Sequence, residues 1–279
     1  MPALYTHYYF AKSVEEILPE NIREITKRYA EIFALGSQGP DILFYHRPMK
    51  SNPVRKRGKD LHAVSPENFF VDCAKEILLA KDTENESLYH ATLSYVCGFL
   101  CHFILDVACH PYIDEHSDEH SQGTFTHGKI ESELDKYMLR QNGLPIRGYN
   151  TATPIACTPL SVDVCSTILQ VDKQSAARAI NTIKTINGWF SCKCELFHSF
   201  AHLVLKIAKM ERQFGDMFLH KKDDARFQGM GEILKEKLEN ARPLAKEVIQ
   251  NYVENIQTTV ENGALENPVF AYNYSGKKE

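Results

Sequence analysis

The sequence predicts an all-α fold, a multi-helix bundle, from three observations. Apolar residues recur at helical spacing along most of the chain, and no stretch of any length alternates as a strand would. The most apolar run, LSYVCGFLCHFILDVAC at 93–109, is helical in pattern and followed by Pro111. With 279 residues, 43% hydrophobic and 24% charged, the chain can bury one large core.

Taken in order, SVEEILPENIREITKRYAEIFALG (13–36) predicts helix broken near Pro19 and ending at Gly36. Residues 37–65 are expected to be loop-rich, with Gly39-Pro40 and Pro48 as breakers and a basic patch, PVRKRGK, at 53–59. Ser65 and Pro66 are placed to start the next helix, as N-cap and first residue. The long central helix is expected over 85–110, stopped by Pro111. A polar loop follows, and Thr126 is the expected cap of the helix THGKIESELDKYMLRQ. Beyond the Pro-rich connection 143–160, helical stretches are expected at about 161–188, 194–221 and 229–262. The expected organisation is one all-α domain over 1–279, with the chemistry in 1–142 and a C-terminal half, 161–279, without a legible signature.

Charge and composition exclude some functions. A net charge of −4 and a pI near 6.3 offer no general attraction to nucleic acid, and no stable nucleic-acid binding is expected. The run at 93–109 carries His and Asp near its middle, which predicts a core helix rather than a transmembrane segment. MPALYTHYYFAKSVEE lacks the pattern of a secretory signal, and the eight cysteines are expected as thiols, so a cytoplasmic address is expected.

The chemistry sits in the histidines. His102, Asp106 and His110 are spaced by four, and four residues turn a helix by only about 40° beyond a full turn, so they share one stripe. Ionisable groups in such an apolar helix cost several kcal/mol each unless paired or bound to metal. After a 16-residue connection come His127 and Glu131, again four apart. Antiparallel packing of the two helices would merge the clusters, and imidazoles with carboxylates suit zinc. The competing reading is a buried His–Asp hydrogen-bond network without metal. His198 and His202 share helical spacing and are expected as a packing pair, while His116 and His120 are expected to be exposed.

At these residues the sequence resembles the zinc-dependent phospholipase C family, which includes secreted bacterial enzymes that cleave phosphatidylcholine and is related to zinc-dependent single-strand nucleases. The resemblance runs over roughly 5–135, through THYYFAK with His7, GPD with Asp41, GKDLH with His62, HFILDVACHPYI and HGKIESELD. It implies an all-α fold around a three-zinc cleft. Asp41, His62, His102 and Asp106 would hold one zinc, and His110, His127 and Glu131 a second. Asp106 would bridge to a third zinc that also takes His7 and the free N-terminus. Asp41 would either ligate or act as base toward the attacking water, and His46 competes with His62 for the loop position.

Three departures modify that expectation. The secreted enzymes expose a tryptophan amine, whereas this chain begins Met1-Pro2. Their second-zinc histidine lies two residues further from the helix aspartate than His110 does, and their connection before the next histidine is shorter. Two zinc ions are therefore expected, with a weak or empty third position beside His7. The expected activity is phosphodiester hydrolysis by a zinc-bound hydroxide attacking phosphorus, on a phospholipid head group, a nucleotide or another small phosphodiester. The alternative is a metal-binding structural or regulatory helical protein without turnover.

Overall fold

The computed structural model describes residues 3–117, 125–207 and 227–278. The described residues are helical, with no strand beyond two isolated bridges, Ser117 with Phe125 and Tyr272 with Lys278.

The axis of the molecule is α6, Glu86–His116, introduced by α1 (Leu4–Glu15), α2 (Glu20–Arg28), α3 (Ala30–Gly36), α4 (Pro53–Ala63) and α5 (Glu67–Asp82). Asn85 starts α6 by accepting the Leu88 amide at 3.1 Å. Every residue from Ala91 to Asp106 is buried, so this stretch of the helix has no solvent-facing side and is enclosed all round. Length and composition would let it cross a membrane, yet 89% of its most apolar window is buried inside the protein. It is the core helix.

Around it pack α1, α3, α5 and, from the C-terminal half, α8 (Pro159–Leu169) and α11 (Gln228–Glu254). The crossing with α3 is close because Gly36 and Gly98 meet there; a Cβ on either would overlap the Tyr95 or Phe33 carbonyl. Phe70, Phe99, Phe103 and Phe270 interlock beside this crossing, with Phe70 and Phe270 5.5 Å apart by ring centroids. One contiguous set of buried apolar side chains runs from Leu4 to Tyr274 and includes Leu234, Leu238 and Ile249 of α11. The remaining helices are α7 (His127–Gln141), α9 (Lys173–Phe190), α10 (Glu195–Ile207) and α12 (Ile256–Asn262).

Several boundaries differ from the sequence expectation, each for an identifiable physical reason. Residues 4–15 form α1, because Asp135 of α7 receives the amides of its first turn. The stretch 37–65 is mostly helical: a 3-10 segment, Gly39–Tyr45, precedes α4. The basic patch lies on α4, where Arg55 bonds the Pro48 carbonyl at 2.8 Å and Arg57 reaches Gln170 at 3.0 Å. Pro111 does not stop α6, which continues to His116 with Ile113 buried in the core. It only withholds a donor from the Val107 carbonyl. Ser65 accepts the Glu67 amide from one residue outside the assigned cap. The expected helix 161–188 is two, α8 and α9, separated at Gln170 with φ +55° and capped anew by Asp172. Of the expected stretch 194–221, only residues 194–207, which include α10, lie among the described residues.

Candidate metal centre

Five segments converge on one end of α6. The helix itself contributes His102, Asp106 and His110. α1 brings His7, the 3-10 segment brings Asp41, and the last turn of α4 brings His62. α7 adds His127 and Glu131 from its first turns, opened by Thr126, which accepts the Lys129 amide at 3.0 Å. All eight residues singled out from the sequence fall into three clusters: His7, His102 and Asp106; Asp41, His62 and His102; His110, His127 and Glu131. Within each cluster the ligand atoms lie within 4.8 Å of one another.

The clusters are linked through carboxylates. Asp106 stands among three imidazoles, with Oδ2 3.1 Å from His102 Nε2, and Oδ1 3.3 Å from His7 Nε2 and 3.4 Å from His110 Nε2. Asp41 lies 3.0 Å from His62 Nε2 and 4.0 Å from His102 Nε2. Glu131 Oε1 is 3.3 Å from His127 Nε2 and 3.7 Å from His110 Nε2. The first two clusters are the more deeply buried; His110 and His127 are half-buried. The close approach of the GPD segment depends on Gly39, whose φ is +52° and whose Cβ, if present, would overlap the His102 ring.

These residues fit a metal better than a hydrogen-bond network. All five imidazoles turn Nε2 toward the carboxylates, and three have the opposite nitrogen held. His62 Nδ1 meets the Gly58 carbonyl at 2.7 Å, His110 Nδ1 the Tyr274 carbonyl at 2.9 Å, and His127 Nδ1 Asp114 at 3.2 Å. This is how ligating histidines are oriented. Among the described residues neither ring nitrogen of the fully buried His102 has an aligned hydrogen-bond partner, and Oδ2 of Asp106 also lacks one although it lies 3.1 Å from His102 Nε2. Such closeness without hydrogen-bond alignment leaves Nε2 and Oδ2 both orphaned in the core, and it suits two ligands converging on a third atom. The set of imidazole and carboxylate donors is the one zinc takes.

Without metal, the carboxylates hold protons on the outer imidazoles. Burial opposes a charged His110, yet Asp106 and Glu131 lift it to about 9; burial likewise opposes His127, which Glu131 and Asp114 lift to about 10. His7 moves the other way, down to about 4, because burial and His102 disfavour its charge. Against burial, the neighbouring imidazoles hold Asp41 and Asp106 below the usual carboxylate range. A divalent cation would replace those protons.

Comparison with protein families adds the deciding observation: the family described as zinc dependent phospholipase C matches residues 6–184. The chain belongs to that family. No curated protein and no solved structure matches. As a zinc-dependent phospholipase C family member with these clusters, it is a metal-dependent phosphodiester hydrolase of the phospholipase C type. The centre matches two zinc ions and a doubtful third. A single Nε2 lone pair serves one ion, so His102 cannot complete the Asp41–His62 and the His7 clusters at once.

His46 is not brought to this phospholipase C-like centre. Its Nδ1 meets Asn52 Oδ1 at 3.1 Å and its Nε2 faces Ser175 Oγ at 3.5 Å, tying the 3-10 segment to α9. The N-terminal amine, named for the third position, lies outside the described residues, as do His120 and the side chain of His202. His198 is buried and bonds the Cys192 carbonyl at 2.9 Å, and His116 bonds the Tyr112 carbonyl at 2.8 Å. The supporting partners Asp114, Tyr274 and the Gly58 carbonyl were not singled out from the sequence. Asp114 had a signal, since it continues the four-residue spacing after His110; a backbone carbonyl has none.

Proposed function

We propose that the chain cleaves the phosphodiester of a phospholipid head group, with His7, Asp41, His62, His102, Asp106, His110, His127 and Glu131 as the metal ligands. The observation that carries this is the common orientation of the five imidazoles around two buried aspartates and Glu131. The family description supports lipid as the substrate class. Zinc bound here supplies Lewis acidity, lowering the pKa of water and neutralising the charge of phosphodiester oxygens.

The chain's own residues do the rest. Asp41, held ionised by His62, can accept a proton from the attacking water or serve as a ligand. Asp106 joins the His7, His102 and His110 sites and fixes the spacing between the positions. Phe44, stacked on His62 at 5.5 Å, and the Tyr274 ring, 5.0 Å from it, line the His62 side of the centre with aromatic surface.

The test is hydrolysis of phosphatidylcholine vesicles and of a chromogenic phosphodiester by zinc-loaded protein. Release of phosphocholine, lost in Asp106→Asn, is the expected result. Cleavage of the chromogenic substrate or of nucleotides but not of vesicles would overturn the lipid assignment. No turnover on any substrate at full zinc loading would make the centre structural.

A further inference from the structure

We propose that the C-terminal turn, residues 272–278, is a working part of the metal centre, in which Tyr274 is a positioning residue for His110, His62 and His102. The proposal rests on the metal reading above but concerns residues beyond the stretch, 6–184, that matches the family.

Tyr274 is 1% exposed, and its carbonyl accepts from His110 Nδ1 at 2.9 Å. A carbonyl can only accept, so a neutral His110 in this contact carries its proton on Nδ1 and turns a lone pair on Nε2 toward Asp106 and Glu131. The same residue's ring lies 5.0 Å from that of His62 and 5.9 Å from that of His102, so it backs both clusters at once. Its hydroxyl is buried and has no hydrogen-bond partner among the described residues, an expense that packing of the tail alone would not require.

The turn is built to hold this place. Asn273 Oδ1 accepts the amides of Ser275 at 3.0 Å and Lys277 at 3.1 Å, while its own amide donates to the Lys277 carbonyl at 2.9 Å. Gly276 has φ +67° and lies against α6, where a Cβ would come within 2.6 Å of Pro111 Cγ and 3.0 Å of the Val107 carbonyl. That is the carbonyl from which Pro111 withholds its donor, so the irregularity in α6 and the landing place of the tail coincide. Upstream, the Ser65 hydroxyl donates to the Phe270 carbonyl at 2.6 Å and the Phe270 ring stacks on Phe103. The tail is thus fixed at both ends of the contact.

The experiment uses full-length protein with Gly276→Val, which displaces the turn without altering a ligand, and Tyr274→Ala, which removes the ring. Lys277→Ala, an exposed side chain, is the control. Zinc per chain, zinc affinity by chelator competition, far-UV helicity and the ring nitrogen signals of His110 are measured on each. Both variants are expected to lose about 10–100-fold in zinc affinity with helicity intact, the range seen when an outer partner of a ligating histidine is removed. Gly276→Val should also lose the protected Nδ1–H signal of His110 together with that affinity, whereas a purely structural role for the tail would leave zinc affinity in place.

Wild-type-like affinity and an unchanged His110 signal in both variants would overturn the proposal while leaving the metal reading intact. A wild-type protein that takes up no zinc would overturn both. If Gly276→Val loses helicity, Tyr274→Ala alone decides.

Discussion

The Thr6 hydroxyl donates to Oδ1 of Asp135 at 2.7 Å, and the same carboxylate accepts the Thr6 and Tyr5 amides at 2.8 and 3.0 Å. Asp135 on α7 therefore caps α1 from outside, next to His7 and one turn beyond Glu131. Asp135→Ala would orphan two buried amides and is expected to cost about 1–3 kcal/mol of stability. Chemical denaturation measures it; a loss well below this range would mean that α1 does not depend on the cap.

The same carboxyl gives a pH dependence. Burial pushes Asp135 up to about 7 from an ordinary 3.8. Between those values the folded chain keeps a proton that the unfolded chain releases, so stability falls as pH rises through the window. Asp135→Asn cannot titrate. Metal-free wild type should therefore lose more stability than this variant from about pH 4 to about pH 7, and parallel curves would contradict the assignment.

Asp106→Asn keeps the size of the side chain and removes the charge that three imidazoles share. Zinc content and phosphodiesterase activity are expected to fall by more than the about 10–100-fold that loss of an outer partner costs. The helical content should survive. Full zinc loading with undiminished turnover in this variant would remove Asp106 from the centre.

Gly39→Ala tests the close approach of the GPD segment to α6. The new methyl would meet the His102 ring, and the positive φ disfavours any side chain. Backbone strain alone should cost about 1–3 kcal/mol, and zinc binding should weaken with it. A variant of wild-type stability and affinity would show that the segment can shift without consequence.

His62→Ala and His46→Ala should separate cleanly, although both residues come from one stretch of sequence. The first is expected to lose zinc, because His62 faces Asp41 at 3.0 Å. The second removes a contact between Asn52 and Ser175 and should lower stability by about 0.5–1.5 kcal/mol while keeping zinc. Elemental analysis beside thermal melting distinguishes them, and the reverse pattern would exchange their roles.

Zinc itself should stabilise the folded chain, by about 2.7 kcal/mol for one site at a free concentration one hundred times its dissociation constant. Chelator-treated protein that melts at the same temperature with and without added zinc would speak against any site.

Much of this was legible because it is written in helical spacing. The stripe of His102, Asp106 and His110 and the pair His127 and Glu131 follow from residues four apart, and the structure brings both to one place. His62 and His46 could not be told apart, because their separation depends on α4, whose Asn52 cap and helical path through the basic patch were obscured by flanking prolines. α1 was missed for a related reason. Its first turn is capped by Asp135, far away along the chain, and no local signal announces a cap supplied by another helix. The same holds for the Tyr274 carbonyl, since backbone acceptors leave no trace in composition.

The four-residue steps of α6 make it a ruler that other segments must meet. Inserting one residue between Asp106 and His110 would swing everything beyond it by about 100° and lengthen the rod by about 1.5 Å, carrying His110 away from Glu131. The connection 143–158, which leads from α7 to α8, carries none of the eight clustered residues. Natural or engineered variation in length should therefore accumulate in that connection and be purged from the stretch between His102 and Asp114. A library of random single-residue insertions, sorted for zinc-dependent activity, would reveal that stretch as a gap in an otherwise permissive map.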